Sequence, residues 1–291
     1  MRKLMALAAT LLLTGVCFAQ QPAKTQATNP ASTVDEATVN AWLQRMFGWN
    51  PEAKWQILSI APTDVQGLTK VAYAISGEQR ASVLYVTADG AHAIAGEMIP
   101  FGADPFAPAR KKLATTDTGI SKGAKDARLT MYVFSDLQCP HCKNGEPVVE
   151  KLQQDVPGVK LVFQQFPIPS IHPWAMKAAE YSDCIGRTDA DKAFAFNDAV
   201  FAQQEAVTPE NATEKLNGAA QQQGLDTAKI SACAAEPATE QRVKQSIALG
   251  QSLGVDGTPT LFVNGRKLMG FADAPYEVLK QLVEYEAQQL K

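Results

Sequence analysis

Between residues 129 and 142 a run of β-formers, "LTMYVF", gives way within five residues to Cys139-Pro140-His141-Cys142. An amphipathic stretch, "EPVVEKLQQDV", follows, and "VKLVFQQFP" then returns to strand-like composition. A short apolar run without polar alternation reads as a strand buried on both faces, which requires helices to cover it. The order strand, thiol pair, helix, strand therefore predicts an α/β unit with Cys139 at a strand-to-helix junction. Three roles are open to a cysteine pair in that place: electron exchange, half of a metal site, or a structural staple.

The junction favours the first. A thiolate at a helix N-terminus faces unpaired N–H groups and the positive end of the helix dipole, which lowers its pKa. His141 is expected to add a positive charge or a hydrogen bond to the same anion. Stabilising the reduced thiolate makes the corresponding disulfide the stronger oxidant. Cys139 begins the helix and is expected to be the exposed, attacking thiol, with Cys142 buried one turn inside as the resolving one. Pro140 holds the turn between them and loses no hydrogen bond at a helix start. A zinc site would need four ligands, and no second pair with finger-like spacing occurs in the sequence. His92 lies in a different segment, and His172 stands beside Pro173 with no partner motif.

The N-terminus sets the compartment. Arg2 and Lys3 precede "LMALAATLLLTGV", and "CFA" ends at Ala19, so residues 1–19 read as a signal peptide cleaved after Ala19. Lipoprotein processing at Cys17 is disfavoured because Val16 stands where a small residue is wanted. Cleavage leaves Cys139, Cys142, Cys184 and Cys233, and an even set in an exported chain favours disulfides. A net charge of −3 offers no basic footprint, so nucleic acid is not an expected partner.

Residues 20–33 are polar, contain proline and lack periodicity, which reads as a flexible leader. Residues 34–106 read as a small α+β domain. In it, "VDEATVNAWLQRMFG" sets Val39, Trp42, Leu43, Met46 and Phe47 at helical spacing. "WQILSIAP", "TKVAYAIS" and "ASVLYVTADGAHAIAGEMIPF" are strand-like, with a hairpin signal at Asp89-Gly90. Residues 107–127 read as a linker, with a short helix around "APARKKLA". The second domain runs from 128 to 291, with helical patterns over about 173–253. Strand signals return in "TPTLFVNGRKLMGF", turning at Asn264-Gly265, and "APYEVLKQLVEYEAQQL" closes the chain as a helix. Trp174, Phe194, Phe196 and Phe201, at helical spacing, are assigned to the core.

"FSDLQCPHC", followed far downstream by "GVDGTPTLFVNG", resembles the DsbA-like branch of the thioredoxin superfamily over roughly residues 128–291. The resemblance implies a thioredoxin-like fold carrying a helical insertion. It implies that Thr258-Pro259 is a loop whose cis-proline lies against the active-site disulfide and helps hold substrate backbone. The segment from Val83 to Pro100 resembles the N-terminal domain of the DsbC/DsbG isomerases, which implies a homodimer formed through the first domain. DsbA proper has an acidic residue in the strand before the motif, where this chain has Val133. Asp136 is the nearest acid, and the proton acceptor for Cys142 is left open. DsbA-like relatives carry cysteines at places such as Cys184 and Cys233, and a structural disulfide between these two is the preferred reading. Free thiols or a second redox pair are the alternatives. Closing that ~49-residue loop would constrain the unfolded chain by roughly 4 kcal/mol.

The function implied is that of an exported or periplasmic thiol–disulfide oxidoreductase. It would act on protein thiols or disulfides through Cys139–Cys142, need no cofactor beyond that pair, and be served by a membrane redox partner. Cys-Pro-His-Cys and the Thr-Pro loop support an oxidase; Thr258 before the proline and the first domain support an isomerase. A non-catalytic chaperone or a copper-binding thiol protein is the alternative, since soft thiolates suit Cu(I). No Met-rich or Cys/His-rich tract accompanies the motif to help such a role.

Overall fold

In the computed structural model, residues 34–290 are described, apart from 49, 51, 77–80, 97–103, 116–117 and 124–125. The signal peptide, its cleavage site, Cys17 and the leader, and part of the strand expected to run to Phe101, lie outside the described residues. The chain divides into two compact units.

The first is built on helix α1 (Glu36–Phe47) and strands β1 (Trp55–Pro62), β2 (Leu68–Ile75), β3 (Ser82–Thr87) and β4 (Ala93–Ala95). Asp35 caps α1, its carboxylate accepting the Thr38 N–H at 2.8 Å. The four strands form one sheet in the order β1-β2-β3-β4. β3 and β4 pair antiparallel, Leu84 opposite Ala95, across the Asp89-Gly90 turn expected from the sequence. Asp89 shapes that turn by accepting the Ala91 N–H, and Gly90 takes a left-handed φ of 66°. Alternation along β2 puts Thr69, Val71 and Tyr73 on the buried face, and Trp42 of α1 meets Tyr73 edge-on.

The second unit comprises α2 (Ala107–Ala114), β5 (Ile120–Lys122), β6 (Leu129–Ser135), α3 (Pro140–Asp155) and β7 (Val159–Gln165). It continues through α4 (Ala175–Gly186), α5 (Ala190–Ala202), α6 (Ala212–Gln222), α7 (Thr227–Ala234) and α8 (Pro237–Ser252). β8 (Thr260–Val263), β9 (Arg266–Met269) and α9 (Tyr276–Gln289) complete it. The sheet order is β5-β7-β6-β8-β9. β6 lies in the middle, parallel to β7 and antiparallel to β8. Leu129, Met131 and Val133 of β6 enter a large core together with Val149 and Leu152 of α3 and much of the helical block. On the opposite face Phe134 packs with Phe166, Phe262, Leu113 and Val255. Both faces of β6 are covered, as its uninterrupted apolar run requires.

Trp174, Phe194, Phe196 and Phe201 are all buried in the large core, as expected. The stretch 107–127 is more than a connector. Leu113 of α2 is 1% exposed beneath the Phe134 cluster, and β5 is an edge strand of the sheet, with Ile120 opposite Phe163.

Candidate functional site

Cys139 is the N-cap of α3, in extended conformation, and Pro140 occupies the first helical turn. β6 ends at Ser135, so the loop from Asp136 to Gln138 delivers the cysteine pair to the helix start. Several bonds fix that loop. The Asp136 carboxylate accepts the N–H groups of Gln138 and Ile168, each at 2.8 Å, and lies 2.7 Å from Nδ1 of His172. Gln138 in turn accepts the Trp174 N–H through Oε1 at 2.8 Å. Gln204 donates to the carbonyls of Leu137 and Cys139 at 3.0 and 3.1 Å. His172 is therefore tied to the motif through Asp136, whose carboxylate is engaged there rather than with a sulfur. What Asp136 offers Cys142 is its backbone N–H, 3.3 Å from Sγ.

Both sulfurs are free thiols, and their environments differ. The Cys142 thiol donates to the Cys139 sulfur, the largest cause holding the Cys139 pKa down at about 5. The Thr258 hydroxyl and the backbone N–H groups of Cys142 and His141 act in the same direction, against burial. The imidazole of His141 is exposed, so this residue contributes through its peptide N–H at the helix start. Cys142 moves the opposite way: burial first, then the neighbouring Cys139, push its pKa well up. One sulfur is poised as a nucleophile and the other is held protonated. Cys139 was expected to be exposed and is only 5% so; the Thr258-Pro259 loop closes over it, with the Thr258 carbonyl 3.5 Å from Sγ.

The Thr258-Pro259 peptide is cis, as the resemblance implied. Thr260 ties this loop back, its hydroxyl donating to the Gly257 carbonyl at 2.7 Å. Gly145 of α3 lets the loop approach: a Cβ there would stand 3.2 Å from both Pro259 and Phe271. A glycine in a helix interior is unfavourable, and close packing is its use here.

Glu146 was missed from the sequence. It is 3% exposed, and neither carboxyl oxygen has a partner among the described residues. Burial, followed by the nearby charges of Glu150 and Asp198, pushes its pKa up to about 8, with Lys122 opposing. The signal was available: Cys142, Gly145, Glu146, Val149 and Leu152 form the buried stripe of α3 at helical spacing. Cys184 and Cys233, by contrast, are joined, Sγ to Sγ at 2.02 Å, linking α4 to α7. Among the described residues no cluster of three or more His, Cys, Asp or Glu side chains is gathered to hold a metal ion.

Residues 115–284 match the Thioredoxin family model, and residues 30–103 match that of the disulfide bond isomerase protein N-terminal domain. Disulfide bond formation protein D of Bacillus subtilis is 27% identical over 177 residues, 56% of this chain and 75% of that protein. The Na(+)/H(+) antiporter NhaA 1 of Salinispora arenicola is 30% identical over 149 residues, 51% of this chain and 22% of the antiporter. The chain thus spans about a fifth of the length of the first curated relatives it matches. A thioredoxin-like oxidoreductase from Silicibacter pomeroyi superposes with a TM-score of 0.53 at 26% identity, covering 62% of this chain and 98% of that one. Oxidised BdbD from Bacillus subtilis gives a TM-score of 0.53 at 24% identity, covering 59% and 94%. The sheet order, the thiol pair at the start of α3, the cis-proline opposite it and a family match over more than half the chain agree: this chain belongs to the thioredoxin family.

Proposed function

We propose that this chain is an exported thiol–disulfide oxidoreductase that exchanges disulfides with protein substrates through Cys139 and Cys142. The observation that carries the reading is the inequivalence of the two sulfurs: a stabilised anion at Cys139 beside a buried thiol at Cys142. In the oxidising direction a substrate thiolate attacks the Cys139–Cys142 disulfide at Cys139. Cys142 leaves with the bonding electrons and takes up a proton. A second substrate thiolate then attacks the mixed disulfide, closing its own disulfide and releasing Cys139 as a thiolate. Two electrons pass to the protein, and a membrane redox partner is proposed to remove them. In the isomerising direction reduced Cys139 attacks a misformed disulfide, and a free thiol of the substrate releases it.

The match of residues 30–103 to an isomerase N-terminal domain supports the second direction, acting as a dimer. Refolding assays with fully reduced and with scrambled substrate separate the two. Recovery from scrambled substrate is expected; recovery from reduced substrate alone would assign the oxidase. Cys139→Ser should abolish both, and full activity in that variant would sink the redox reading. Light scattering with and without the first unit should give a dimer and a monomer respectively; a monomer in both would remove the support for isomerisation.

A further inference from the structure

We propose that Cys184–Cys233 is a second thiol–disulfide exchange centre, reduced by an external dithiol, with Arg187 setting its equilibrium. Neither cysteine has a helix-start motif that would stabilise a thiolate, but Arg187, three residues beyond Cys184, supplies another device once the fold brings Cys233 to it. Nη2 of Arg187 lies 3.0 Å from the Cys184 sulfur and 2.8 Å from the Cys233 sulfur. The same nitrogen is 2.6 Å from the Thr239 hydroxyl oxygen, and Thr239 spends its own proton on the Cys233 carbonyl at 2.8 Å. A neutral disulfide sulfur is a weak acceptor and gains little from a guanidinium. A thiolate gains a great deal, and an adjacent arginine lowers a thiol's pKa. Arg187 therefore favours the reduced pair over the oxidised one, the condition for an easily reduced disulfide.

The surrounding charges leave that bias in place. The Asp183 carboxylate is ion-paired with Nε of Arg187 at 3.2 Å and accepts from Nε of Arg242 at 3.1 Å, so one carboxylate is shared between two guanidiniums. Glu240, beside Thr239, is paired with Lys244. Access is one-sided: Cys184 is 2% exposed, whereas Cys233 is half-buried. The reductant's thiolate thus attacks Cys233, forming a new sulfur–sulfur bond as the old one breaks. Cys184 departs with the electron pair as a thiolate against Arg187, and a low-pKa leaving thiol leaves faster. The reductant's second thiol loses its proton and attacks the mixed disulfide, closing its own disulfide. Cys233 is released as a thiolate and takes up a proton. Two electrons enter the protein, and the other proton goes to solvent. Reduction unlinks α7 from α4 and leaves the Cys139–Cys142 pair covalently untouched.

The test uses the full chain with Cys17, Cys139 and Cys142 changed to Ser, so that one pair remains. It is equilibrated with dithiothreitol at pH 7, and the thiol fraction is read by alkylation and mass spectrometry. Arg187→Met should shift the equilibrium at least tenfold towards the disulfide, equivalent to about 30 mV for a two-electron couple. Arg187→Lys, which keeps the charge, should recover part of the shift. Thiolate absorbance should place the lower thiol pKa of the reduced pair higher in Arg187→Met than in the parent. If Arg187→Met does not fold, Arg187→Gln gives the same comparison with the donors kept and the charge removed. An equilibrium unchanged within twofold on loss of the charge overturns the proposal. So does a pair that is reduced only when circular dichroism shows the chain unfolding.

Discussion

At Cys139 a single thiol donated by its partner does more than the helix start alone. Reduced protein should therefore show thiolate absorbance that is flat through neutral pH and falls as pH drops through about 5. Cys142→Ala should raise that transition, whereas Cys142→Ser, which keeps a hydroxyl donor, should preserve much of it. An unchanged titration in Cys142→Ala would contradict the assignment. The same shift has a stability consequence. The Cys139 pKa is depressed on folding, so its contribution is present at high pH and is lost as pH falls through the folded value. The reduced form should gain on the oxidised form as pH rises from 5 towards 9, as thermal melts of both forms would show.

Glu146 runs the other way. Its folded pKa of about 8 lies above the ordinary 4.5, so its stabilisation is complete below 4.5 and declines up to about pH 8. Across that window stability falls as pH rises, because the unfolded chain gives up the proton that the folded one keeps. Glu146→Gln should match the parent near pH 4.5 and become progressively more stable than it towards pH 8, by urea denaturation. Parallel pH profiles for the two proteins would refute this.

Among the elements, α8 packs tightly against the Phe134–Phe166 face of the sheet. A Cβ on Gly250 would fall 2.6 Å from the Phe166 ring, inside any tolerable contact, and 3.0 Å from Phe134. Gly250→Ala gains helix propensity worth about 1 kcal/mol but overpacks a rigid aromatic cluster, a cost of about 1–3 kcal/mol. A net loss of stability is expected, and a raised Tm would show that α8 can move away freely. The legibility of the elements follows the same physics. β6, β7 and both hairpins were readable because each carries its own signal: an apolar run, or a dipeptide suited to positive φ such as Asn264-Gly265. β5 was not, because three residues acquire strand character only by pairing with β7. α7 is eight residues long, and a lone Asp226 cap before "TAKISACA" is a weak signal for so short a helix. At the site, Cys139, Cys142, Thr258 and Pro259 stood out from their motifs. Arg187 stands at a legible i,i+3 spacing from Cys184, but the second sulfur it meets, that of Cys233, is 46 residues away, a proximity that sequence spacing cannot express.

On the scale of the whole molecule, the two units have different kinds of edge. The sheet bearing the thiol pair ends in β5, three residues long, and β9, four residues long. The other sheet ends in β1, eight residues long, which among the described residues has a strand neighbour on one side only. Unpaired backbone along a long edge is a template for another strand, and short edges deny it. Proline at Ser59, inside β1, should therefore weaken self-association of the full chain in light scattering while sparing thiol exchange at Cys139. Equal association in both proteins would place the contact elsewhere. The fold thus divides its exposed peptide groups unevenly: the sheet that leads into the thiol pair is nearly sealed against added strands, and the sheet without sulfur is the one left open to company.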